Sequence, residues 1–415
     1  MLLRSAIALL AIACCLFAMQ AAARIGFTRL LGKYAVVTNS IPAAEYAVAL
    51  APSDPEAHRA RARVMNRLKI PIEARKSFET ASSLRYRDDY LWLELGATRD
   101  ELGDTAGALA AFDQAVRWAP YYAHTHWQRG NLRLRAGQYN EALEDLRAAT
   151  ASRKSLLPNF IDLAWGLARG DVKTAEQLIQ IDGDRDRLAF ARFLATKGKG
   201  AECVEHVRLL GTPLSEQNRS ELVEQLIRAK AFRHAFELWR TENSLKPPVI
   251  LNSGFEAPIS LAQRAFGWNI FPKTEAAVAA DRAQKVSGQH SLRIKFGGEW
   301  KAIGEVISQL IVVEPQKRYR ISFAVRTHEL VTGGPPIIAI NDAADNKRLG
   351  QSEPFPTPTS EWQNIGFEFS TADATQAVVL EFTKVEAPCT PCPIYGELWL
   401  DDFLIEHVTT TNSQR

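Results

Sequence analysis

A chain of 415 residues is long enough for two or three domains, each with its own core. Hydrophobic residues make up 46% of the chain and charged residues 23%, and the net charge at pH 7 is +3. This near-neutral balance, without a run of Lys or Arg, gives no sign of nucleic-acid binding. The sequence has no G-x-S-x-G, phosphate-binding glycine loop, H-E-x-x-H or dinucleotide fingerprint, so we do not expect an enzyme.

The amino-terminal stretch from Ser5 to Ala23 carries no charge. It is long enough to cross a bilayer, and Ala21-Ala22-Ala23 resembles a signal-cleavage site. We therefore assign residues 1–24 to a signal peptide or a membrane anchor, and we favour the anchor. The positive-inside rule opposes export of the rest of the chain, because the span is followed by basic residues, namely Arg24, Arg29 and Lys33.

From about residue 55 the sequence repeats every 34 residues, so that Gly96 recurs as Gly130 and Ala108 as Ala142. One period fills the whole W-x2-L-G…A-x3-F…P spacing, with Trp92, Leu95, Gly96, Ala108, Phe112, Ala115 and Pro120. Each period holds two helices that cannot bury their apolar faces alone, so neighbouring pairs must stack. The pattern resembles the tetratricopeptide repeat family, and it is clearest in residues 55–88, 89–122 and 123–156.

Weaker helical patterns extend the predicted α-solenoid over residues 25–242, with Ile25 to Asn39 as a candidate for the missing first helix. The resemblance implies a protein partner on the concave face formed by the first helices. Four polar residues on those helices are candidates for gripping carboxylates, namely Arg61, Arg99, Gln128 and Arg133. A solvated helix face is the alternative for each of them.

The pattern changes after residues 243–249, where Pro247-Pro248 stops the last helix and indicates a linker. Beyond it, hydrophobic residues alternate with a period of two in several segments, namely Ser291–Phe296, Tyr319–Val325 and Ile365–Phe369. Val378 to Phe382 and Leu398 to Ile405 read as further strands. We predict a jelly-roll β-sandwich over residues 250–407, followed by a flexible tail at 408–415.

Short motifs in this region occur in a particular order, namely Leu251-Asn252-Ser253-Gly254-Phe255-Glu256, Ser287-Gly288-Gln289-His290-Ser291-Leu292, Glu361-Trp362-Gln363 and Leu398-Trp399-Leu400-Asp401-Asp402-Phe403. Together they resemble the carbohydrate-binding β-sandwich modules of the galactose-binding-like superfamily. The whole chain is thus expected to be a multidomain α plus all-β protein, a tetratricopeptide-type α-solenoid followed by a jelly-roll β-sandwich.

The resemblance implies a sugar site and a structural calcium ion. Sugar recognition needs aromatic faces rimmed by polar groups, for which the candidates are Trp268, Phe271, Trp300, Gln309 and Arg326. Burial is the alternative for each aromatic residue. In the resembled family a structural Ca²⁺ often bridges the first and last strands, which places Glu256 with Asp401 or Asp402 as oxygen ligands. A solvated acidic pair is the alternative.

Two cysteines, Cys389 and Cys392, form a C-x-x-C near the carboxyl terminus. Such a pair serves redox chemistry, a zinc half-site or a small structural disulfide. A disulfide that staples the loop is favoured if the module is exported.

These features predict a non-catalytic, membrane-anchored, extracytoplasmic scaffold. Its solenoid would bind a protein partner and its β-sandwich a polysaccharide, which suggests a role in envelope polysaccharide assembly or export. The domains would lie in the periplasm or outside the cell, anchored to the inner membrane or secreted after cleavage. Two alternatives stay open. In the first, the β-sandwich binds protein and the chain is purely an assembly factor. In the second, it is an accessory part of a glycoside hydrolase, with Glu299 and Glu305 as the candidate carboxylate pair.

Overall fold

The computed structural model describes residues 2–240, 245–259, 265–271, 276–298, 306–385 and 393–408. Contacts within the chain divide it into two compact units, Met1–Ile181 and Asp182–Arg415. The first unit is helical, and the second joins four helices to two antiparallel sheets. The predicted fold class, an α-solenoid followed by a β-sandwich, is confirmed.

The first unit consists of helical hairpins. Its helices are α1 (Leu2–Thr38), α2 (Ile41–Leu50), α3 (Pro55–Arg67), α4 (Pro71–Leu84), α5 (Asp89–Glu101), α6 (Thr105–Trp118), α7 (Ala123–Arg135), α8 (Tyr139–Ser152), α9 (Leu157–Leu167) and α10 (Val172–Ile179). The pairs α3/α4, α5/α6 and α7/α8 correspond to the three clearest repeats. Asp54 begins the first of them, because its side chain accepts a hydrogen bond from the amide of Glu56 ahead of Pro55 at the first helical position.

Small residues allow the two helices of each repeat to approach closely. A β-carbon added at Gly96 would lie 2.6 Å from the ring of Phe112, and one at Gly130 would lie 3.0 Å from the side chain of Leu146. Glycine inside a helix costs about 1 kcal/mol relative to alanine. The close packing of Phe112 and Leu146, which are both buried, explains why glycine occurs here.

A buried ionic cluster joins α7 to α8. Asp145, which is 2% exposed, accepts hydrogen bonds from His126 at 2.8 Å, from Arg129 at 2.6 Å and from Arg133 at 2.8 Å. Burial alone would raise the pKa of Asp145, but the hydrogen bonds from His126 and Arg129 outweigh it, so the pKa lies below its ordinary value. The charged form of Asp145 therefore contributes to the stability of the third repeat.

His126 makes this cluster sensitive to pH. Its two ring nitrogens contact acceptors, the Asp145 carboxylate and the carbonyl oxygen of Pro120, so the doubly protonated ring fits best. The hydrogen bond to Asp145 raises the pKa of His126 above its ordinary value, although burial opposes this shift. The resulting stabilisation is complete below the unfolded-state pKa, about 6.5, and is lost as the pH rises through the folded-state pKa.

We expect the free energy of local opening of α7 and α8 to fall as the pH rises above about 6.5. Hydrogen exchange of peptides from residues 123–152, corrected for intrinsic exchange, measures this free energy from about pH 6 to about pH 8.5. A His126→Gln variant should lose the slope. An equal slope in both proteins would contradict the role assigned to His126.

Helix α1 runs without a break from the apolar amino-terminal stretch into the solenoid. Thr28 and Ala35 are fully buried, and a β-carbon added at Gly32 would lie 3.1 Å from the β-carbon of Ala60 on α3. The carboxyl-terminal part of α1 thus takes the position of a first repeat helix before α2. Among the described residues, α1 is the one helix long and apolar enough to cross a membrane, over Leu9–Thr38, and a signal sequence meets the same criteria.

The second unit begins with α11 (Gly183–Thr196), α12 (Gly200–Arg208), α13 (Glu216–Arg228) and α14 (Phe232–Trp239). Its strands are β1 (Asn269–Ile270), β2 (Ala276–Asp281), β3 (Ser291–Gly298), β4 (Ile307–Val312), β5 (Arg318–Thr332), β6 (Pro336–Asp342), β7 (Arg348–Gln351), β8 (Ser360–Ser370), β9 (Ala377–Lys384) and β10 (Ile394–His407). The sequence places a domain boundary at residues 243–249, but the four helices before it pack in the same compact unit as the strands.

The strands form two sheets. Sheet A has the order β1-β4-β9-β6-β7 and sheet B the order β2-β3-β10-β5-β8. Alternate side chains point between the sheets into one apolar core, whose aromatic members include Phe255, Trp268, Phe323, Phe382 and Phe403. The strands predicted from the period of two lie within β3, β5, β8, β9 and β10.

Candidate functional site

The outer face of sheet A carries a row of polar side chains. Ile307, Ile338 and Leu380 point into the core, so their neighbours Ser308, Ala339 and Glu381 point outward. The strand register pairs Asn269 with Ser308, Ser308 with Glu381, Glu381 with Ala339 and Ala339 with Gln351. One row therefore crosses all five strands of sheet A, and four of its five members are polar.

Arg348 organises the far end of this row. Its guanidinium donates to Asn341 at 2.6 Å, to Gln351 at 3.0 Å and to Glu381 at 3.0 Å. The residue is exposed, whereas Glu381 is 8% exposed. Because one planar guanidinium holds three side chains, their remaining oxygen and nitrogen atoms are fixed in position for a ligand.

A groove of about 820 Å³ lies between this face and the helices α13 and α14. Asn269, Ser308 and Leu310 line it from sheet A, and Arg219 and Trp239 line it from the helices. The half-buried ring of Trp239 packs against Phe236 and Phe266, with ring centroids 5.8 and 5.5 Å apart, which holds it in place. This volume lies in the range of ligand-binding clefts, and the lining combines an aromatic ring with hydrogen-bonding groups.

The four described residues among those predicted to bind sugar do not come together. Trp268 is 3% exposed, and its indole nitrogen donates to the carbonyl oxygen of Asn252. Gln309 is fully buried and bonds to both backbone groups of Leu251 at 3.0 Å. These two contacts tie the start of the sandwich to its core, because a buried amide must satisfy its polar atoms. We therefore exclude Trp268 and Gln309 from the proposed sugar site.

The other three candidates differ in position. Arg326 lies on β5 of sheet B, where it forms an ion pair with Glu361 at 3.0 Å. Phe271 is 38% exposed and follows β1 directly. Trp300 lies outside the described residues. Among the described candidates, Phe271 alone thus lies next to the edge of the polar row.

Sequence reasoning missed Asn269, Ser308, Glu381 and Gln351 as a group. One sequence signal could have pointed to this row. Ser308 and Glu381 are polar residues at outward positions of strands that are otherwise apolar. That signal does not show which strands are neighbours, and the row exists only once the register is known.

The three predicted calcium ligands lie close to one another, but each accepts hydrogen bonds from the turn at residues 286–290. Glu256 accepts hydrogen bonds from the amides of Gln289 and His290 at 2.9 and 3.2 Å, and Asp401 accepts one from Val286 at 2.8 Å. Asp402 accepts a hydrogen bond from the hydroxyl of Ser287 at 2.6 Å. Among the described residues no three acidic, His or Cys side chains form a metal-binding group. We therefore derive no step from a metal ion here.

The pKa values of two of these carboxyl groups shift in opposite directions. Burial raises the pKa of Asp401, and the neighbouring charge of Asp402 adds to that effect. Hydrogen bonds from the amides of Gln289 and His290 lower the pKa of Glu256. The contacts fasten the turn at residues 286–290 to the beginning and the end of the sandwich. The predicted disulfide partners Cys389 and Cys392 lie outside the described residues.

On the solenoid, the predicted partner-binding arginines contact the second helices of the repeats. Arg61 donates to Ser77 at 2.8 Å, Arg99 to Glu79 at 2.9 Å, and Arg133 takes part in the cluster around Asp145. A guanidinium held in this way fastens one helix to the next. Arg61, Arg99 and Arg133 thus have a structural role that the sequence did not reveal.

Gln128, in contrast, lines an open groove of about 400 Å³ along the first helices α5 and α7. Tyr90 and Tyr122 form one wall, and their hydroxyl oxygens lie 2.7 Å apart. This hydrogen bond raises the pKa of Tyr122, with burial contributing, while burial lowers the pKa of His124. The groove therefore presents aromatic and amide groups together with one acidic and one basic side chain, Glu94 and Arg153.

Comparison with known proteins supports the assignment of the sandwich. The family described as "Carbohydrate binding domain" matches residues 248–388, which include every member of the polar row. A curated relative, Protein FlbA of Caulobacter vibrioides (strain ATCC 19089 / CIP 103742 / CB 15), is 31% identical over 101 residues. That match covers 24% of this chain and 17% of the relative, so the chain spans only a small part of FlbA.

Solved structures with similar folds have low identity. A crystal structure of MamA is 16% identical, with a TM-score of 0.28, over 48% of this chain and 85% of that one. The structure described as "YrrB: a TPR protein with an unusual peptide-binding site" is 20% identical, with a TM-score of 0.32, over 37% and 84%. A structure described as "CBM4 structure and function" is 18% identical, with a TM-score of 0.30, over 39% and 100%. Such scores carry no functional argument.

The described architecture and the family match define a class. The helical amino-terminal region is a tetratricopeptide-like solenoid, and the carboxyl-terminal region is a β-sandwich of the carbohydrate-binding kind. Both are non-catalytic kinds of domain.

Proposed function

We propose that this chain is a membrane-anchored scaffold that binds a polysaccharide on the outer face of sheet A and a protein partner on the first helices of its solenoid. The observation that carries the sugar assignment is the polar row from Asn269 to Gln351, which lies in the region that matches the carbohydrate-binding family. The ring of Trp239, which precedes that region, lines the groove beside the row. Hydroxyl-rich ligands need this combination of hydrogen-bonding groups and an aromatic surface.

The dimensions of the face favour a chain of sugars over a single one. Neighbouring strands are about 4.8 Å apart, so a row across five strands extends for about 19 Å. Arg348 holds Gln351 and Glu381 at one end, and Asn269 and Ser308 line the groove at the other. An extended ligand would contact the row at half-buried Asn269 and exposed Gln351, because Ser308, Ala339 and Glu381 between them are at most 8% exposed.

The proposed protein partner binds beside Gln128, Tyr90 and Tyr122. Those residues line an open groove, whereas Arg61, Arg99 and Arg133 are engaged within the fold. A partner segment with amide and aromatic groups fits these walls, in which the charges of Glu94 and Arg153 balance, better than one that relies on carboxylates alone.

The scaffold is proposed to act outside the cytoplasm, in envelope polysaccharide assembly or export. The apolar helix over Leu9–Thr38 supports attachment to a membrane. A calcium ion at Glu256, Asp401 and Asp402 stays a prediction, which a chelator tests directly.

The sugar assignment predicts that Trp239→Ala and Asn269→Ala each weaken glycan binding about tenfold, the loss expected for an aromatic contact or a buried hydrogen bond. The experiment is affinity electrophoresis of the full chain in neutral detergent, against a panel of polysaccharides with calcium and with chelator. Retardation by one glycan class, reduced in both variants, is the expected result.

A matched control is Trp362→Ala, because Trp362 is a half-buried tryptophan on β8 of sheet B. It should leave glycan binding unchanged. If the folded wild-type chain ignores every glycan, the sandwich is a protein-binding module and capture of protein partners follows. Cleavage of a retained glycan would instead indicate a hydrolase.

A further inference from the structure

A second groove, of about 670 Å³, lies on the solenoid where α1 enters it. Its walls come from α1, α3 and the end of α4, and five of its residues are basic, namely Arg29, Lys33, Arg59, Arg63 and Arg85. Glu56 is the one acidic residue in this lining among the described residues. We call it the basic groove. None of its residues belongs to the two grooves described above.

Positive charge exceeds negative charge around the basic groove. Its arginines pair with Asp54, Glu56, Asp88 and Glu94, and Glu94 is shared by Arg59 at 2.7 Å and Arg63 at 2.6 Å. Lys33 is exposed and has no ion-pair partner among the described residues. One further basic residue, Arg67, bonds to the carbonyl oxygen of Val36 in the lining instead of to a carboxylate. The groove is therefore poised to accept anions.

The basic groove lies just beyond the uncharged run of α1, at the distance where the headgroups of a membrane would be. The uncharged run ends at Ala23, and a helix rises about 1.5 Å per residue, so Arg29 lies about 9 Å beyond the run. This distance is close to the thickness of a headgroup layer, about 5–8 Å. Side chains on a helix tilt toward its amino terminus, so Arg29 and Lys33 reach back toward the bilayer.

A neighbouring stripe of α1 supports this placement. Phe27, Leu30 and Tyr34 recur at helical spacing outside the groove lining, and each is between 55% and 65% exposed. The helix over Leu9–Thr38 has 30 residues and continues past the uncharged run, whereas the hydrocarbon core takes about 20. Aromatic and apolar groups beyond the span are typical of the membrane interface. The same part of α1 thus has an apolar stripe for the interface and a basic groove beside it.

We infer that the basic groove binds the phosphate headgroup of an anionic phospholipid, which seats the first repeat of the solenoid on the membrane surface. Bound phosphate would contact Lys33 and the arginines, as juxtamembrane basic clusters do with anionic leaflets. This inference extends the proposed membrane attachment and does not depend on glycan binding. It predicts headgroup selectivity, which a simple apolar anchor lacks.

The test uses the full chain in neutral detergent, with an intact mass that shows the retained amino terminus. Short-chain dioctanoyl phosphatidylglycerol and dioctanoyl phosphatidylcholine are titrated separately, and affinity is measured by calorimetry. We expect the anionic lipid to bind at least about tenfold more tightly than the neutral one. The Arg29→Gln/Lys33→Gln double variant should lose about 25-fold in affinity for the anionic lipid, about fivefold for each charge.

The matched control is Lys69→Gln/Arg135→Gln, which removes the same charge from exposed positions outside the groove. It should bind the anionic lipid as the wild type does. Equal affinity for the two lipids, or an equal loss in the control, would overturn the inference. So would tighter binding of inorganic phosphate or of an oligoglutamate peptide, which would assign the groove to a soluble anion or to an acidic partner. Cleavage of the chain near Ala23 would overturn it as well.

Discussion

Replacing Asp145 by Asn is expected to destabilise the third repeat by about 3–5 kcal/mol, because it removes the one buried counter-ion that His126, Arg129 and Arg133 share among the described residues. Asp145 is 2% exposed and accepts hydrogen bonds from His126, Arg129 and Arg133. An amide carries no charge and offers one acceptor oxygen in place of two. Hydrogen exchange of peptides from residues 123–152 in the full chain measures the change locally, which suits a repeat array that need not unfold in one step.

Asp113→Asn provides a closely matched control. Asp113 pairs with Arg129 at 2.7 Å and with Arg133 at 3.5 Å, the same two arginines, but it is 52% exposed. Exposed ion pairs contribute about 0–1 kcal/mol, so this variant should change little. If the two variants lose similar amounts of stability, the number of carboxylates near the arginines, and not the burial of Asp145, determines the stability of the cluster.

The second large effect is expected at Gly396, where Ala should destabilise the sandwich by about 3–5 kcal/mol. The residue has φ of +101° at a bulge of β10. An added β-carbon would lie 2.3 Å from the carbonyl oxygen of Glu329 and 2.8 Å from that of His328. Neither backbone oxygen can move away without breaking the pairing of β10 with β5. Calorimetric unfolding of the full chain, with hydrogen exchange of β5 and β10, measures the loss.

Gly254→Ala is the comparison variant for the sandwich. Its nearest neighbours would lie 3.6–3.9 Å from the added β-carbon, an ordinary contact, and its φ is not positive. We expect a change within about 1 kcal/mol. If Gly396→Ala is equally mild, the bulge of β10 adapts, and the geometry at Glu329 does not constrain the sheet as argued here.

The two predictions concern different units, so each also tests the division of the chain. Asp145 lies in Met1–Ile181 and Gly396 in Asp182–Arg415. The effect of each substitution on hydrogen exchange should stay within its own unit. Loss of protection in α11–α14 upon Gly396→Ala would agree with the grouping of these helices with the sandwich.

Much of the fold can be predicted from the sequence because it follows from local periodicity. Gly96 and Gly130 mark helix crossings at a fixed interval, and each crossing needs a small residue whatever surrounds it. Strands such as Tyr319–Val325 alternate because one face is buried. The sandwich could also be recognised from its short motifs, and the family match at residues 248–388 agrees.

The candidate sites depend on long-range contacts, and sequence reasoning placed them poorly. Trp268 follows an irregular segment, which indicated an exposed loop, yet it packs against Phe255 and Phe403 at about 5.2 Å between ring centroids. Arg61 and Arg99 look like solvated residues on a helix face, but their partners Ser77 and Glu79 come from neighbouring helices. Neither outcome is encoded in local spacing.

By itself, the sequence determined the solenoid repeats, the change to a β-sandwich and the apolar amino-terminal span, since each is a pattern over neighbouring residues. Only the tertiary structure decided that Asn269, Ser308, Glu381 and Gln351 form one row. It alone also placed Lys33 beside Arg59 and Arg63. Strand register and helix packing bring together residues far apart in the chain, because burial of apolar faces fixes those alignments, and polar side chains follow wherever the packed backbone places them.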